Sequence, residues 1–554
     1  MKLSRWAPAS VRVLRDYSAA TFAHDLGAGI TVGLVALPLA MAFAIASGLS
    51  PQAGIYCAIV TGFLISLLGG SRYQIGGPTG AFVVVVAGIV TEFGVGGLYM
   101  VTMMAGVMLV LLGVTGMGAA VKYLPRPVVI GFTNGIAVLI ASTQIRDFFG
   151  LQIAEVPSEF APRMEALAAA AGSISLPATL LGLGSLAAII VLRKTVPRVP
   201  GAIVALLGGT AVAAIFGLDV DTIGSRFGGI PGGLPTPHFP AFEAALMPAL
   251  IRPAVTVAML GAIESLMSAV VADRMGSDRH NPNMELIGQG VANIASPIFG
   301  GLPATGAIAR TATNIRSGAR TPVAGMIHAV TLLVVLLAAA PLAGYIPMAV
   351  LAAILFVVSY NMGEWHEIPQ LLKLTKTDIS VWIVTFALTV FADLTLAVEV
   401  GMILAALLFI RRVSTTTTVS MVTSDYIESG RPHSLQDKTI PPYVAIFRIH
   451  GPLLFGATDK IAAITDHLDR LPAIVIVRLR NMTAIDATGI KALEEVADRV
   501  NASGRTLLLC GAREQPAALM KAANLAHHVG ANNICLNILT ALERAAALHR
   551  SAAA

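Results

Sequence analysis

Charge is what this sequence has least of. Asp, Glu, Lys and Arg make up 12% of its 554 residues, while 56% are hydrophobic. Soluble domains carry about 25% charged residues. The scarcity therefore excludes a soluble globular protein and leaves a polytopic membrane protein. Cysteine is nearly absent. Cys57, Cys510 and Cys535 are too few and too scattered for a disulfide framework or a metal cluster. The eleven histidines form no ligand cluster, and His366-Glu367 lacks the second histidine of the zinc-protease spacing. A Walker A motif is missing, and with it a built-in ATP motor. These absences speak against an enzyme. Residues 1–25 have no continuous apolar core, so no cleavable signal peptide is read there, and targeting falls to the first spanning helix. The net charge of +6 does not point to nucleic acid, because the basic residues sit at the ends of apolar runs.

What the sequence has in abundance is long apolar runs. A span needs about 20 such residues. They are read at 27–46, 51–70, 97–117, 127–147, 175–193, 199–218, 253–273, 283–299, 321–341, 343–360, 378–394 and 396–411. Two shorter segments, 79–93 and 304–314, look like half-helices. Each follows a helix-breaking phrase, Gly76-Gly77-Pro78-Thr79-Gly80-Ala81 in the first half and Gly301-Leu302-Pro303-Ala304-Thr305-Gly306-Ala307 in the second. Irregular backbone is tolerated at membrane depth only where protein or a polar cavity covers it. A matched pair of such interruptions points to a transport site.

The expectation is fourteen segments, seven before residue 220 and seven after 250. Thr79 and Thr305 are 226 residues apart, and the same offset carries 27–46 onto 253–272. An odd number of crossings per half makes the second repeat enter from the opposite face, an inverted repeat. The transporter domain is expected over 26–412, with repeats at about 26–218 and 250–412, after a cytoplasmic segment at 1–25.

Lys and Arg set the orientation. With a cytoplasmic N-terminus, the inner side holds Arg5, Arg12, Arg15, Arg72, Lys122, Arg126, Arg193, Lys194, Arg198, Arg274, Arg279, Arg316, Arg320, Lys373, Lys376, Arg411 and Arg412. The outer side holds only Arg146, Arg163, Arg226 and Arg252. Both chain ends are then cytoplasmic. After Arg412 a Ser/Thr-rich linker, 413–439, leads to a small α/β domain at 440–550. Strands are expected at 443–450, 473–479 and 506–510, and helices at 459–471, 488–502, 514–527 and 536–548.

If the half-helices start near the midplane and run outward in opposite directions, their free N–H groups and positive dipole ends converge. That is an anion site built from backbone, lined by Thr79, Gly80, Thr305, Gly306 and Ala307. Arg310 lies a little over one turn into the second half-helix. An ionisable group at that depth is a functional candidate. Arg310 is either an anion counter-charge with a forked geometry or, with Arg316 and Arg320 following, a cytoplasmic-end anchor. Glu264 is the sole carboxylate deep in its segment. It is either a proton- or cation-coupling site or a structural partner for Arg310 or backbone amides. Ser265 and Ser268 are ligands or packing hydroxyls. Pro38 is expected to kink or unwind the first helix. Phe43 closes the pocket or simply packs. Glu399 reads as solvated or capping.

Several stretches resemble the SulP family of anion transporters, bacterial relatives of the animal solute carrier family 26. They are Ala36-Leu-Pro-Leu-Ala-Met-Ala-Phe43, Gly70-Ser-Arg72, Gly77-Pro-Thr79, Glu285-Leu-Ile-Gly-Gln-Gly290, Asn293-Ile294, Gly300-Gly301 and Ala307-Ile-Ala-Arg-Thr311. The tail resembles the family's STAS domain, with Ala484-Ile-Asp-Ala-Thr-Gly-Ile490 matching its Asp-x-Ser/Thr-Gly loop. The resemblance covers nearly the whole chain. It implies a mobile core with the anion between the third and tenth helices, a fixed gate domain that shares in dimer contacts, and elevator-like alternating access in the bacterial inner membrane. It places the substrate at Leu39, Phe43, Thr79, Gly80, Ala81, Ala307, Ala309 and Arg310. Family members often carry Gln where Leu39 stands and Ser near Ala307 or Ala309, so donors are lost here. Bicarbonate carriers of the family place an Asp near Glu264 to hold sodium. Na+ at Glu264, with Ser268 beside it, thus stands next to H+ as the coupling ion, and no other cofactor is implied.

The residues around Pro38 and Arg310 resemble most the branch that carries C4-dicarboxylates with protons; sulfate and bicarbonate remain as substrates. An uncoupled exchanger or channel is the alternative within the fold, and a membrane sensor signalling to a cytoplasmic partner through STAS is the alternative outside it. Thr488 matches the residue phosphorylated in stand-alone STAS proteins, or else caps its helix.

Overall fold

The chain is described by a computed structural model at residues 6–13, 17–118, 125–153, 156–157, 159–196, 199–230, 233–276, 278–392, 394–422, 440–462, 464–465 and 468–553. Arg5, Arg15, Lys122, Arg198 and residues 423–439 of the expected linker lie outside these.

Ser18 starts the first long helix: its Oγ accepts from the N–H of Thr21 at 3.2 Å. The helix, α1, spans Ala19–Ala46, and its 28 residues make it long enough to cross a bilayer. Pro38 is carried inside it, so the expected unwinding is not seen. α2 (Pro51–Leu68) begins on a proline, whose missing N–H costs nothing at a helix start. α3 (Gly80–Val114) is broken at Gly94, whose φ of 69° and ψ of −177° an L side chain rarely adopts. The break separates a short arm, 80–93, from a long arm, 95–114. α4 (Arg126–Phe149), α5 (Leu176–Thr195) and α6 (Gly201–Ile215) complete the first half.

The second half repeats the order. It consists of α7 (Met247–Met275), α8 (Pro282–Ala295), α9 (Ile308–Arg316), α10 (Val323–Ala343), α11 (Met348–Met362), α12 (Lys376–Phe391) and α13 (Leu394–Thr416). With α3 taken as two arms, the described residues contain the fourteen expected segments. Eight described helices are apolar and long enough to cross a membrane. The second short helix starts at Ile308, four residues beyond the expected 304, because Thr305–Gly306 is taken into a strand.

Packing follows the repeat. α1 packs on α10, and its counterpart α7 packs on the long arm of α3. α2 packs on α10, and its counterpart α8 packs on the long arm of α3. Likewise α4 packs on α12 and α11 on α5. Small residues allow the closest of these approaches. A Cβ on Gly106 of α3 would lie 2.7 Å from the carbonyl oxygen of Gly290 on α8, and one on Gly290 would lie 2.7 Å from Val110 N. At the start of α1, buried Asp25 accepts from the backbone N–H groups of Arg320 (2.7 Å) and Thr321 (3.1 Å), which tethers α1 to the turn before α10.

Residues 403–554 form a second compact unit. Its sheet runs β3 (Thr418–Met421), β4 (Val444–His450), β5 (Ile474–Asn481), β6 (Thr506–Cys510) and β7 (Ile534–Cys535). β3 is antiparallel to β4, and the remaining pairs are parallel. The near-continuous apolar runs of β4, β5 and β6 suit strands buried on both faces. Two corrections follow. Part of the expected linker is strand β3. The helix expected at 459–471 is reduced, among the described residues, to the short turns Asp459–Ala462 and Leu468–Arg470. The long helix Ala487–Ala502 is capped by Asp486, whose Oδ1 accepts from Gly489 N at 2.8 Å.

A Gly106→Leu or Gly290→Leu chain should lose about 1–3 kcal/mol to overpacking, read as a lower unfolding temperature in detergent. Gly184→Leu, on α5 with open space around it, should unfold as the wild type does. Asp486→Ala should cost about 1 kcal/mol, seen as faster amide exchange across Ala487–Ala502 in the whole chain.

Candidate anion-binding site

The two interrupted segments meet in a two-stranded antiparallel ribbon. β1 (Gly76–Gly77) pairs with β2 (Thr305–Gly306), Gly76 opposite Gly306 and Gly77 opposite Thr305. Ala307 N donates to Ile75 O at 2.8 Å beside it. The chains leave this ribbon in opposite directions, one into the short arm of α3 and the other into α9. Their first turns start at Thr79 and Ala307, and neither residue makes a side-chain cap. Two helix N-termini therefore present unsatisfied N–H groups close to one ribbon.

Neighbouring helices brace the ribbon. From α7, the Ser265 hydroxyl is 2.6 Å from Thr305 Oγ1 and accepts from Gly306 N at 3.2 Å. Thr305 Oγ1 lies 3.0 Å from Gly261 O, to which it donates. Ser268 Oγ donates to Thr311 Oγ1 at 3.1 Å, and that oxygen accepts from Ile75 N. From α8, Asn293 accepts from Ala304 N at 2.8 Å and donates to Ala304 O at 2.9 Å. Glu285, one face of α8 further back, accepts from Gly70 N, Ser71 N, Gln74 Nε2 and Gln289 Nε2 at 2.8–3.1 Å. Among the expected site residues, Thr305, Gly306 and Ser268 thus have hydrogen-bonding roles inside the scaffold. Sequence reasoning gave no physical role to Glu285, Gln289 and Asn293. Their spacing of four along an otherwise apolar helix was the available signal.

The charged residues stand on this scaffold. Arg310 is buried, in contrast to the exposed Arg316. Its Nη2 donates to Pro78 O, across to the other repeat. Its Nη1 is buried without a hydrogen-bond partner among the described residues and lies beside Gly77, so a side chain there would strike the guanidinium. Gly77 itself has φ 149°. Glu264 is half-buried, and its Oε2 accepts from Thr79 Oγ1 at 2.9 Å. The described ion pairs do not join Glu264 to Arg310.

Gly80 is walled by three side chains. A Cβ there would lie 3.0 Å from Ile140 Cδ1, 3.1 Å from Met362 Sδ and 3.4 Å from Phe43 Cε1. Phe43 is thereby brought to the start of α3, and half-buried Leu39 lies one turn before it on α1. Ala81 and Ala307 are buried, while Ala309 lies on the exposed side of α9. Away from the site, Glu399 pairs with Arg252 at 3.2 Å, both partly exposed. Thr488 stands exposed on the first turn of its helix, and the capping expected of it is done by Asp486.

The comparisons agree with this architecture. Residues 22–385 match the sulfate permease family and residues 436–541 the STAS domain. YvdB, a candidate sulfate transporter of Bacillus subtilis (strain 168), is 42% identical over 518 residues, 93% of this chain and 96% of its own. The bicarbonate transporter BicA of Picosynechococcus sp. is 32% identical over 506 residues, 89% of each. The transmembrane domain of a cyanobacterial BicA superposes with a TM-score of 0.62 at 34% identity, covering 70% of this chain and 98% of that one. Murine Slc26a9, an anion transporter solved in an inward-facing state, shares the fold at a TM-score of 0.87 and 18% identity, covering 99% of this chain and 95% of that one. A helical membrane domain with an interrupted helix in each half, joined to a β-sheet tail, is the architecture these matches have in common, and the chain belongs to the sulfate permease family of anion transporters, carrying a C-terminal STAS domain.

Proposed function

We propose that this protein is a secondary active transporter that moves a small oxyanion or carboxylate, coupled to protons through Glu264. The observation that carries the reading is Arg310, buried with an unpartnered Nη1 next to two uncapped helix starts. A buried guanidinium is costly without a counter-charge. Each helix start adds about half a positive charge, so the place favours an anion. Side-chain donors are few, since Leu39, Ala81, Ala307 and Ala309 offer none. Recognition then rests on backbone N–H groups, Arg310 and the space bounded by Phe43, Ile140 and Met362. The relatives' names favour sulfate or bicarbonate; the C4-dicarboxylates belong to the same size and charge range.

Coupling follows from the charges. An ionised Glu264 opposes an anion at the neighbouring helix starts, and a proton on Glu264 removes that opposition. Protonated Glu264 with anion bound, and both sites empty, are the two favourable states to carry across. The helix group α1–α3 with α7–α10 is the moving part, sliding against α4–α6 with α11–α13. The Lys/Arg asymmetry supports a bacterial inner membrane with both chain ends on its cytoplasmic side. A homodimer, a cytoplasmic protein bound by the STAS domain, and phosphorylation of exposed Thr488 complete the proposal.

Proteoliposomes supplied with radiolabelled sulfate, bicarbonate, fumarate and succinate test it. Inward acid-driven accumulation of one of them is expected, and accumulation driven by sodium instead would move the coupling to Na+ at Glu264. Arg310→Gln should lower uptake about 10–100-fold, the equivalent of a charge-assisted hydrogen bond worth about 1.5–3 kcal/mol. Glu264→Gln should still exchange labelled for unlabelled anion but fail to concentrate it under a pH gradient. A Glu264→Gln protein that concentrates substrate as the wild type does overturns the coupling assignment.

A further inference from the structure

One buried titratable group is used neither by the site nor by the coupling scheme. His328, on α10, is fully buried; its ring interacts with the backbone of Gly325, and neither ring nitrogen has a well-formed hydrogen-bond partner among the described residues. Its ring rests against α2. A Cβ on Gly62 would lie 3.2 Å from His328 Nδ1 and Cε1, and 3.3 Å from the carbonyl oxygen of Gly76 in β1. One turn away on the same face of α2, Ala58 Cα faces Gly77, where the unpartnered Nη1 of Arg310 lies. One turn the other way, Ser66 Oγ packs against Gly325 of α10 and also lacks a partner. Arg310, His328 and Ser66 thus occupy successive levels of one helix face, each with unused hydrogen-bonding capacity.

Native interiors rarely retain such atoms without a use, because each costs free energy. The titratable and charged groups around His328 are few. α9 contributes Arg310. α2 contributes Cys57, whose thiol donates to Leu302 O at 3.1 Å. α7 contributes Glu264, bonded to Thr79. β1 contributes none. The charged residues of α1, His24 and Asp25, are at its far end with Arg320 and Thr321.

Positive charges on Arg310 and His328, which lie against neighbouring turns of α2, repel each other. An anion at the neighbouring helix starts weakens that repulsion, and a divalent anion weakens it more than a monovalent one. We propose that His328 is a proton-binding site linked to the charge of the anion: it takes up one proton when a divalent anion binds and none when a monovalent anion binds. The proton comes from water, forms an N–H bond at the free imidazole lone pair, and leaves when the anion leaves. Ser66 gives it a polar step toward the end of α2 that the Lys/Arg pattern assigns to the cytoplasm. The inference rests on the anion site proposed above and not on Glu264.

The test uses the purified full chain in weakly buffered detergent with a pH-sensitive dye. Binding is followed by calorimetry, with sulfate and succinate as divalent probes and formate as the monovalent one. The wild type should take up one additional proton per chain with a divalent probe over formate. His328→Gln should lose that proton and bind sulfate about tenfold more weakly, with formate binding unchanged as evidence of folding. His328→Asn serves if the glutamine variant does not fold. Glu264→Gln should keep the difference between the probes. A divalent probe that binds the wild type without extra proton uptake, or a His328 variant that takes up the same extra proton, overturns the inference. If no probe binds the wild type, the anion-site reading itself fails, and the inference with it.

Discussion

A broken helix inside a bilayer has nowhere to send its freed N–H and C=O groups except to other parts of the protein. The structure of the transporter domain answers that constraint at one place. The lead-ins to α3 and α9 satisfy each other as a ribbon, Gly76–Gly77 against Thr305–Gly306. Hydroxyls from α7 and the side chain of Asn293 from α8 meet further polar groups there. Buried polar side chains such as Ser265, Asn293, Thr305, Arg310 and Thr311 gather around the ribbon for that reason. The helix starts themselves carry no side-chain caps, and it is there that a negative charge is welcome.

The repeat is symmetric in helices but not in chemistry. Arg310 and Glu264 both belong to the second half, yet each is bonded to the break of the first, through Pro78 O and Thr79 Oγ1. The first half supplies backbone and shape, with Gly80 walled by Phe43, Ile140 and Met362. A charge placed by one repeat and positioned by the other makes the site a property of the pair.

Much of this is legible in the sequence. Long apolar runs fix spans, a common offset fixes the repeat, and Gly, Pro and Thr mark the breaks. The illegible part has a physical pattern. Residues 76 and 306 pair across more than two hundred positions, and no local periodicity announces such a contact. The ribbon also explains why α9 starts at Ile308, since a strand borrowed its first residues. Pro38 was expected to kink or unwind α1, and the helix runs on through it. In the tail, the apolar runs of β4 to β6 identified themselves, while the Ser/Thr-rich β3 looked like linker because an edge strand needs little hydrophobicity. Thr488 drew attention away from Asp486, two residues earlier, which forms the cap. The meeting of Ala58, Gly62, His328 and Arg310 follows from tertiary packing alone.

The interlocked packing of the halves bears on how the chain is made. α2 finds its partner in α10, and the long arm of α3 finds its own in α7 and α8. When the ribosome has completed the first half, none of those partners yet exists, and β1 has no strand beside it. The first seven segments must therefore wait in the bilayer, their break unsatisfied or held by the insertion machinery, until some two hundred further residues arrive. The packing between the halves is thus completed only once α7, α8 and α10 have been made.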